Sequence, residues 1–176
     1  MSQDPGVGIA PAAETSGPSD YERQLRAEID HQPENPRLMV SLANLLVAQG
    51  ASDEAVPWYE RAIEIDPNRI ETRLEFAAAL ARRGSLSDAE VQLERALAID
   101  DERADAHFLL GDLYAAWQPP RLDEAATRFR QAIAVGPGSV AAEQASQALA
   151  RIGQDAGSPV VSPTGGVGSP RAESEP

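Results

Sequence analysis

The sequence predicts an all-α protein, a solenoid of three helix–turn–helix units with a capping helix at each end. Residues 36–69, 70–103 and 104–139 align with one another at a period of about 34 residues. Small residues recur in the same columns of that alignment: Ala43, Ala77 and Gly111; Ala55, Ala89 and Ala125; Ala62, Ala96 and Ala132. Gly50 and Gly84 share the column just beyond the first helices, where a left-handed residue lets the chain turn. Repeats of this kind bury a continuous core only when they are stacked.

The first predicted helix, residues 20–32, is a half-repeat that precedes the first full unit. Ser19 and Glu22 have the spacing of a capping box, in which each side chain satisfies a free backbone N–H group. Pro33 ends this helix because proline cannot continue the backbone hydrogen bonds.

Each full unit is predicted to contain two antiparallel helices of about 13 residues. The second helices are expected to begin at N-caps that share one column: Asp53, Ser87 and Asp123. Bulky residues that fill the space between units form another column: Tyr59, Leu93 and Phe129. The third unit needs a two-residue insertion within Gln118–Pro120 to stay in register.

Both ends of the chain differ from the repeats. Residues 140–152 are predicted to form a cap helix, because their apolar residues make one stripe opposite a polar face. Residues 1–18 and 153–176 are rich in Pro, Gly and Ser, and they are predicted to be disordered tails. The domain is therefore expected to span residues 19–152.

The charge and composition exclude several classes of function. The net charge of −13 disfavours binding to nucleic acid and to anionic membrane surfaces. Cysteine is absent, which excludes disulfides and thiolate metal sites. Residues 1–13 lack the basic and apolar segments of a signal peptide, and no segment has the roughly 20 apolar residues of a spanning helix. We therefore expect a cytoplasmic protein that does not insert into membranes.

No catalytic constellation is visible. The two histidines, His31 and His107, lie in different units, and His107 falls in a column that packs inside its unit. The acidic run Asp100–Glu102 lacks the glycine and the spaced oxygens of a calcium loop, so it is interpreted as a solvated corner. We expect no enzymatic activity, no metal and no cofactor.

The repeat columns resemble those of tetratricopeptide repeats (TPR). The resemblance covers residues 36–139 and rests on the period, on Ala or Gly at the eighth place, on Ala at the twentieth and twenty-seventh, and on Pro at the thirty-second. It implies a right-handed α-solenoid. The sequence departs from the family at the fourth place, often Trp, which holds Met39, Arg73 and His107. Asp101 replaces the proline of the second unit.

The resemblance also implies a site, because in this family the first helices line a concave groove that holds an extended peptide. Carried over by column, the predicted groove residues are Arg37, Val40, Ser41, Asn44, Val47, Leu74, Glu75, Ala78, Arg82, Phe108, Leu109, Asp112 and Ala115. Val40, Leu74 and Phe108 share one column and form a candidate apolar anchor strip on the open face. The alternative is that the flanking helices fold over this strip and bury it.

One ligand type of the family is not expected here. Members that dock on heat-shock chaperones clamp a C-terminal carboxylate with lysine and asparagine side chains. Asn44 fits that pattern, but Val40 stands where the first lysine would be, and the chain contains no lysine. Ala78 and Asp112 are equally unsuited to a clamp. An apolar ligand with a basic flank suits the strip and the negative charge better.

The leading hypothesis is a non-catalytic adaptor that binds a segment of a partner protein in the groove. A second is a structural protein that self-associates through an array end or through the anchor strip, and the oligomeric state is left open. A third is an accessory factor of c-type cytochrome maturation, because the pattern from Leu25 to Pro36 is similar to the start of the repeat domain in those assembly proteins.

Overall fold

The computed structural model describes residues 19–157, which form eight α-helices joined by short turns. The helices are α1 Asp20–His31, α2 Pro36–Ala48, α3 Ser52–Ile65, α4 Ile70–Arg83, α5 Leu86–Ile99, α6 Ala104–Ala115, α7 Leu122–Val135 and α8 Val140–Gly157. Within each unit the first helix packs on the second, as α2 on α3, α4 on α5 and α6 on α7. Each second helix also contacts the first helix that follows it. These contacts build a linear stack of units.

The alanine columns lie where helices cross. All six alanines at the twentieth and twenty-seventh places have no exposed surface. Small side chains there let the helix backbones approach closely. The bulky residues between units, Tyr59, Leu93 and Phe129, are at most 2% exposed. At Gly111 a Cβ atom would lie 2.7 Å from two ring carbons of Phe129, so the third unit has room only for glycine at this crossing.

The second helices begin two residues earlier than predicted. Asp53, Ser87 and Asp123, predicted as N-caps, lie inside the first turns of α3, α5 and α7. The N-cap residues are Ala51, Ser85 and Arg121, and none caps with its side chain. Their carbonyl oxygens accept the first helical N–H bonds from the alanines of the twentieth place, at 2.9–3.2 Å. Acidic side chains inside the first turn are still favoured by the helix dipole.

The predictions for the first cap and for the turn glycines are confirmed except for one half of the capping box. The Ser19 Oγ accepts a hydrogen bond from the Glu22 N–H at 3.1 Å, which confirms half of the capping box. The Glu22 carboxylate does not complete it, because it accepts a hydrogen bond from Arg26 at 3.0 Å. Gly50 and Gly84 have φ angles of 83° and 88°, so both adopt the left-handed conformation that lets the chain turn.

The unusual fourth-place residues join neighbouring units. The Arg73 guanidinium donates to the Pro67 carbonyl at 3.2 and 2.6 Å. One unit further along, His107 Nε2 lies 2.9 Å from the Asp101 carbonyl oxygen, which occupies the equivalent position in the turn. His107 is 6% exposed and its Nδ1 atom has no partner among the described residues. Both side chains therefore brace the turn between two units.

Arg103 makes a second link between units. Its guanidinium bonds Glu71 at 3.0 Å and Asp105 at 2.8 Å. The pKa of Glu71 is lowered by a hydrogen bond from its own backbone and by the bond from Arg103. Burial acts to raise the pKa of Asp105, but hydrogen bonding and charge attraction from Arg103 outweigh it and lower the pKa.

The helices at the two ends lack the small crossing residues of the repeats. In α1, Tyr21 and Glu28 occupy the columns held by alanine in the second helices, and Tyr21 is 56% exposed. In α8, Gln147 occupies the Ala/Gly column of the first helices and is exposed. Neither helix has a partner within its own unit, so a larger or polar side chain is tolerated there.

The last helix is longer than predicted. It continues to Gly157 rather than ending at Ile152, so the tail expected from residue 153 does not begin there. The rest of that predicted tail, and the one predicted over residues 1–18, lie outside the described residues. None of the helices within residues 19–157 is long and apolar enough to cross a membrane.

Candidate partner-binding groove

The predicted anchor strip is not an open apolar surface. Val40 and Leu74 are each only 8% exposed and belong to the hydrophobic core. Phe108 is half-buried, packs against the core, and its ring centroid lies 5.8 Å from that of Phe129. The expectation that these three side chains form an exposed anchor strip is therefore wrong.

The burial of Leu74, the middle residue of the strip, comes from within the array. The first helices of successive units contact one another, α2 with α4, α4 with α6 and α6 with α8. Neither α1 nor α8 contacts α4, so flanking helices that fold over the groove do not explain the burial of Leu74. Val40 lies on α2, which contacts both the flanking helix α1 and the neighbouring first helix α4.

Two cavities lie side by side along the face formed by α2, α4 and α6, which we call the groove. The α2/α4 cavity has a volume of about 310 Å³, and the α4/α6 cavity has one of about 320 Å³. Ala78 and Arg82 line both of them. The cavities bring together these predicted groove residues: Asn44, Val47, Glu75, Ala78, Arg82, Leu109 and Asp112. Their volumes fall at the lower end of the range for ligand pockets, roughly 300–1,000 Å³.

The α2/α4 cavity has a polar floor made by three linked side chains. The Tyr59 hydroxyl donates to the Asn44 amide oxygen, and the Asn44 amide nitrogen donates to the Glu75 carboxylate. Burial raises the pKa of Tyr59 to about 12; the negative charge of Glu75 adds to the rise and Arg82 opposes it. Tyr59 therefore stays a neutral hydrogen-bond donor, and Asn44 is held in a single orientation.

The α4/α6 cavity is mainly apolar. Its apolar lining consists of Ala77, Ala78, Ala81, Leu86, Leu93, Leu109, Leu113 and Ala116. Arg82 on α4 and Asp112 on α6 are its only charged lining residues. Both side chains belong to exposed residues. This cavity can accept an apolar side chain while its rim presents one charge of each sign.

Other predicted groove residues lie outside the two cavities. Arg37 is exposed near the start of α2, and the Ser41 hydroxyl donates to the Arg37 carbonyl at 2.9 Å. Ala115 is half-buried against the core near the end of α6. Val40, Leu74 and Phe108 line neither cavity.

Sequence reasoning missed the contribution of the second helices. Tyr59 of α3 and Leu86 and Leu93 of α5 line the cavities, although only first helices were expected to do so. A signal was present in the repeat alignment: Leu93 is the smallest of the three bulky residues in its column, and the more apolar cavity lies against it. A leucine fills less of the gap between units than a tyrosine or phenylalanine does, in agreement with the apolar lining of that cavity.

The acidic residues and His107 offer no candidate metal centre within the residues that the structure describes. No group of three or more His, Asp or Glu side chains there is arranged to hold a metal ion. In the acidic corner, the Asp100 carboxylate accepts the Glu102 N–H at 3.0 Å and so stabilises the turn. His107 bonds a backbone carbonyl rather than a nucleophile.

An array of paired helices whose first helices leave two adjoining cavities on one face defines an α-helical repeat protein. Models of the tetratricopeptide repeat match residues 20–70 and 46–113, which together cover more than half of the chain. The chain belongs to the tetratricopeptide repeat family, as the repeat columns predicted. The expected all-α solenoid is confirmed.

Solved structures of other TPR proteins share this fold. The crystal structure of MamA superimposes with a TM-score of 0.66 and 20% identity over 77% of each chain. YrrB, described as a TPR protein with an unusual peptide-binding site, gives a TM-score of 0.62 and 27% identity over 72% of this chain and 64% of its own. The first TPR of Spaghetti (RPAP3), bound to the HSP90 peptide SRMEEVD, gives 0.60 and 24% over 70% and 94%. A comparison with curated proteins finds no match.

Proposed function

We propose that this protein is a non-catalytic adaptor that binds a segment of a partner protein in the groove formed by α2, α4 and α6. The observation that carries this proposal is the pair of adjoining cavities, which share Ala78 and Arg82 and run across three consecutive units. An extended or helical segment laid across the first helices places side chains in both cavities.

Two further observations support the proposal. YrrB, which is 27% identical to this chain, is described as having a peptide-binding site. The groove also contains no histidine, and the buried His107 is engaged with a carbonyl oxygen. The site thus offers shape, apolar surface and charge, which are the means of recognition rather than of bond making or breaking.

The hypothesis of self-association through the anchor strip is not supported. That hypothesis needed Val40 and Leu74 to be exposed, and both are in the core. Substitution of Leu74 is for the same reason a poor test of the groove, because a charge at a buried position destabilises the fold whatever the groove binds.

A sharper test uses Leu109, which is half-buried and lines the α4/α6 cavity. We would immobilise the full chain, its Leu109→Glu variant and a matched Val91→Glu variant, and identify proteins retained from lysate by mass spectrometry. Val91 is 41% exposed on α5 and lines neither cavity. The proposal expects a protein that the parent and Val91→Glu retain and that Leu109→Glu loses.

The binding segment of that protein would then be synthesised and its affinity measured by fluorescence anisotropy. Circular dichroism would establish that all three proteins have equal helix content. If the segment bound the parent chain and a folded Leu109→Glu variant with equal affinity, the binding surface would lie outside the groove and the proposal would be refuted.

A further inference from the structure

The charged residues on the rim of the α4/α6 cavity lack the side-chain partners that nearby charged residues have. Arg83, the neighbour of Arg82, pairs with Asp53 at 2.8 Å, and Glu75 bonds Asn44 across the groove. Within residues 19–157, the side chains of Arg82 and Asp112 make neither a hydrogen bond nor an ion pair. The two charges therefore stand on opposite walls of one apolar cavity, and each is available to a ligand.

The position of Asp112 is locally unfavourable. It lies in the last turn of α6, which ends at Ala115 and has no basic residue in that turn. The helix dipole disfavours a carboxylate at this end of a helix. At the equivalent end of α4 the sequence instead places Arg82 and Arg83, which the dipole favours. The preference for basic over acidic residues at the end of a helix is thus broken on the rim of a cavity, and departures from such local preferences often accompany function.

We propose that the α4/α6 cavity recognises a partner segment in which one bulky apolar side chain is flanked by an acidic residue and a basic residue. The apolar side chain enters between the α4 alanines and Leu109. The acidic residue pairs with Arg82, and the basic residue pairs with Asp112. This inference rests on the proposed binding function of the groove and adds the chemistry of the ligand.

The charge arrangement also assigns a direction to the bound segment. Arg82 lies on α4 and lines both cavities, whereas Asp112 lies on α6 and lines only one. The acidic end of the segment therefore lies toward the first unit and the basic end toward the third. Complementary charges of this kind set orientation and partner choice more than they set affinity.

The test is a phage-display selection of random twelve-residue peptides on the full chain. Parallel selections use Arg82→Glu and Asp112→Arg. Two matched controls, Arg130→Glu on α7 and Glu94→Arg on α5, change exposed charges outside both cavities. Circular dichroism checks that every variant keeps its helix content.

We expect the parent chain and both controls to enrich peptides with an apolar residue between an acid and a base. Arg82→Glu should lose the preference for the acid, and Asp112→Arg the preference for the base. The parent's consensus peptide should bind each groove variant at least about tenfold more weakly, a loss of about 1.4 kcal/mol. A peptide with its two charges exchanged should bind the double variant Arg82→Glu/Asp112→Arg more tightly than the parent.

Several outcomes would overturn the inference. Enriched peptides without the two charges, or enrichment that both groove variants share with the parent, would remove the role of Arg82 and Asp112. Failure of the parent to enrich any peptide would also overturn the inference. Competition by a synthetic peptide of residues 158–176 would overturn it too, because this chain's own C-terminal segment would then be the occupant of the cavity. A partner segment found by affinity capture that needs Leu109 but lacks the charges would refute this inference and leave the adaptor proposal intact.

Discussion

A single methyl group added at Gly111 tests the packing between the helices of the third unit. A Cβ atom there would lie 2.7 Å from Cδ1 and from Cε1 of Phe129, well inside van der Waals contact. The Phe129 ring cannot move toward solvent because it is 1% exposed and also faces the ring of Phe108 at 5.8 Å. Gly111→Ala should therefore overpack this crossing.

Two opposing effects determine how much Gly111→Ala changes the free energy of unfolding. Overpacking a core costs about 1–3 kcal/mol. Replacing glycine by alanine inside a helix contributes about 1 kcal/mol in the opposite direction. The net expectation is a destabilisation of about 1 kcal/mol. In the second unit, the equivalent residues are Ala77 and Leu93, which both line the α4/α6 cavity.

The assay is a double-mutant cycle of Gly111→Ala and Phe129→Leu, with free energies of unfolding from urea titration followed by far-ultraviolet circular dichroism. In the Phe129→Leu background the methyl group should become neutral or stabilising, because the overpacking disappears and the helix propensity remains. If Gly111→Ala stabilised both backgrounds equally, the contact between Gly111 and Phe129 would not limit this crossing, and the reasoning would fail.

Three further predictions concern the links between units and the groove. His107→Leu should cost about 1 kcal/mol of unfolding free energy, and His107→Arg less, because arginine still reaches the Asp101 carbonyl; equal stability of the two variants would contradict this. Both Glu71 and Asp105 have lowered pKa values when folded, so their contribution to stability is present at neutral pH and is lost as the pH falls below their ordinary values of 4.5 and 3.8. Arg103→Ala should flatten that loss in thermal unfolding at a series of pH values, and an unchanged pH profile would argue against the link. The peptide SRMEEVD should not bind in fluorescence anisotropy, because the chain has no lysine to clamp its carboxylate, and saturable binding would reverse this conclusion.

The repeat columns were sufficient to predict the family, the helix order and the crossing residues. Ala55 and Ala89 are small because two backbones pass close by, and that requirement recurs with every unit. The starts of the second helices were less predictable, since Ser85 and Ser87 are equally good N-cap residues in isolation. The bond from the Ala89 N–H to the Ser85 carbonyl makes Ser85 the cap residue.

The groove was predictable only in part. Asn44, Glu75 and Arg82 were placed on the right helices by column, and the structure brings them to one cavity. The exposure of Val40 and Leu74 was predicted wrongly because it depends on the neighbouring helix. The cavity against Leu93 depends on how far that side chain fills the gap between units, which no single helix determines.

The sequence by itself determined that this protein is a TPR array, because a 34-residue period and small residues at crossings are consequences of local geometry repeated along the chain. Only the tertiary structure decided which side chains of the groove remain open. Exposure depends on the distance between helices, and that distance is set jointly by all the side chains packed between them. Val40 and Leu74 are buried, whereas Arg82 and Asp112 on the rim of the α4/α6 cavity remain exposed.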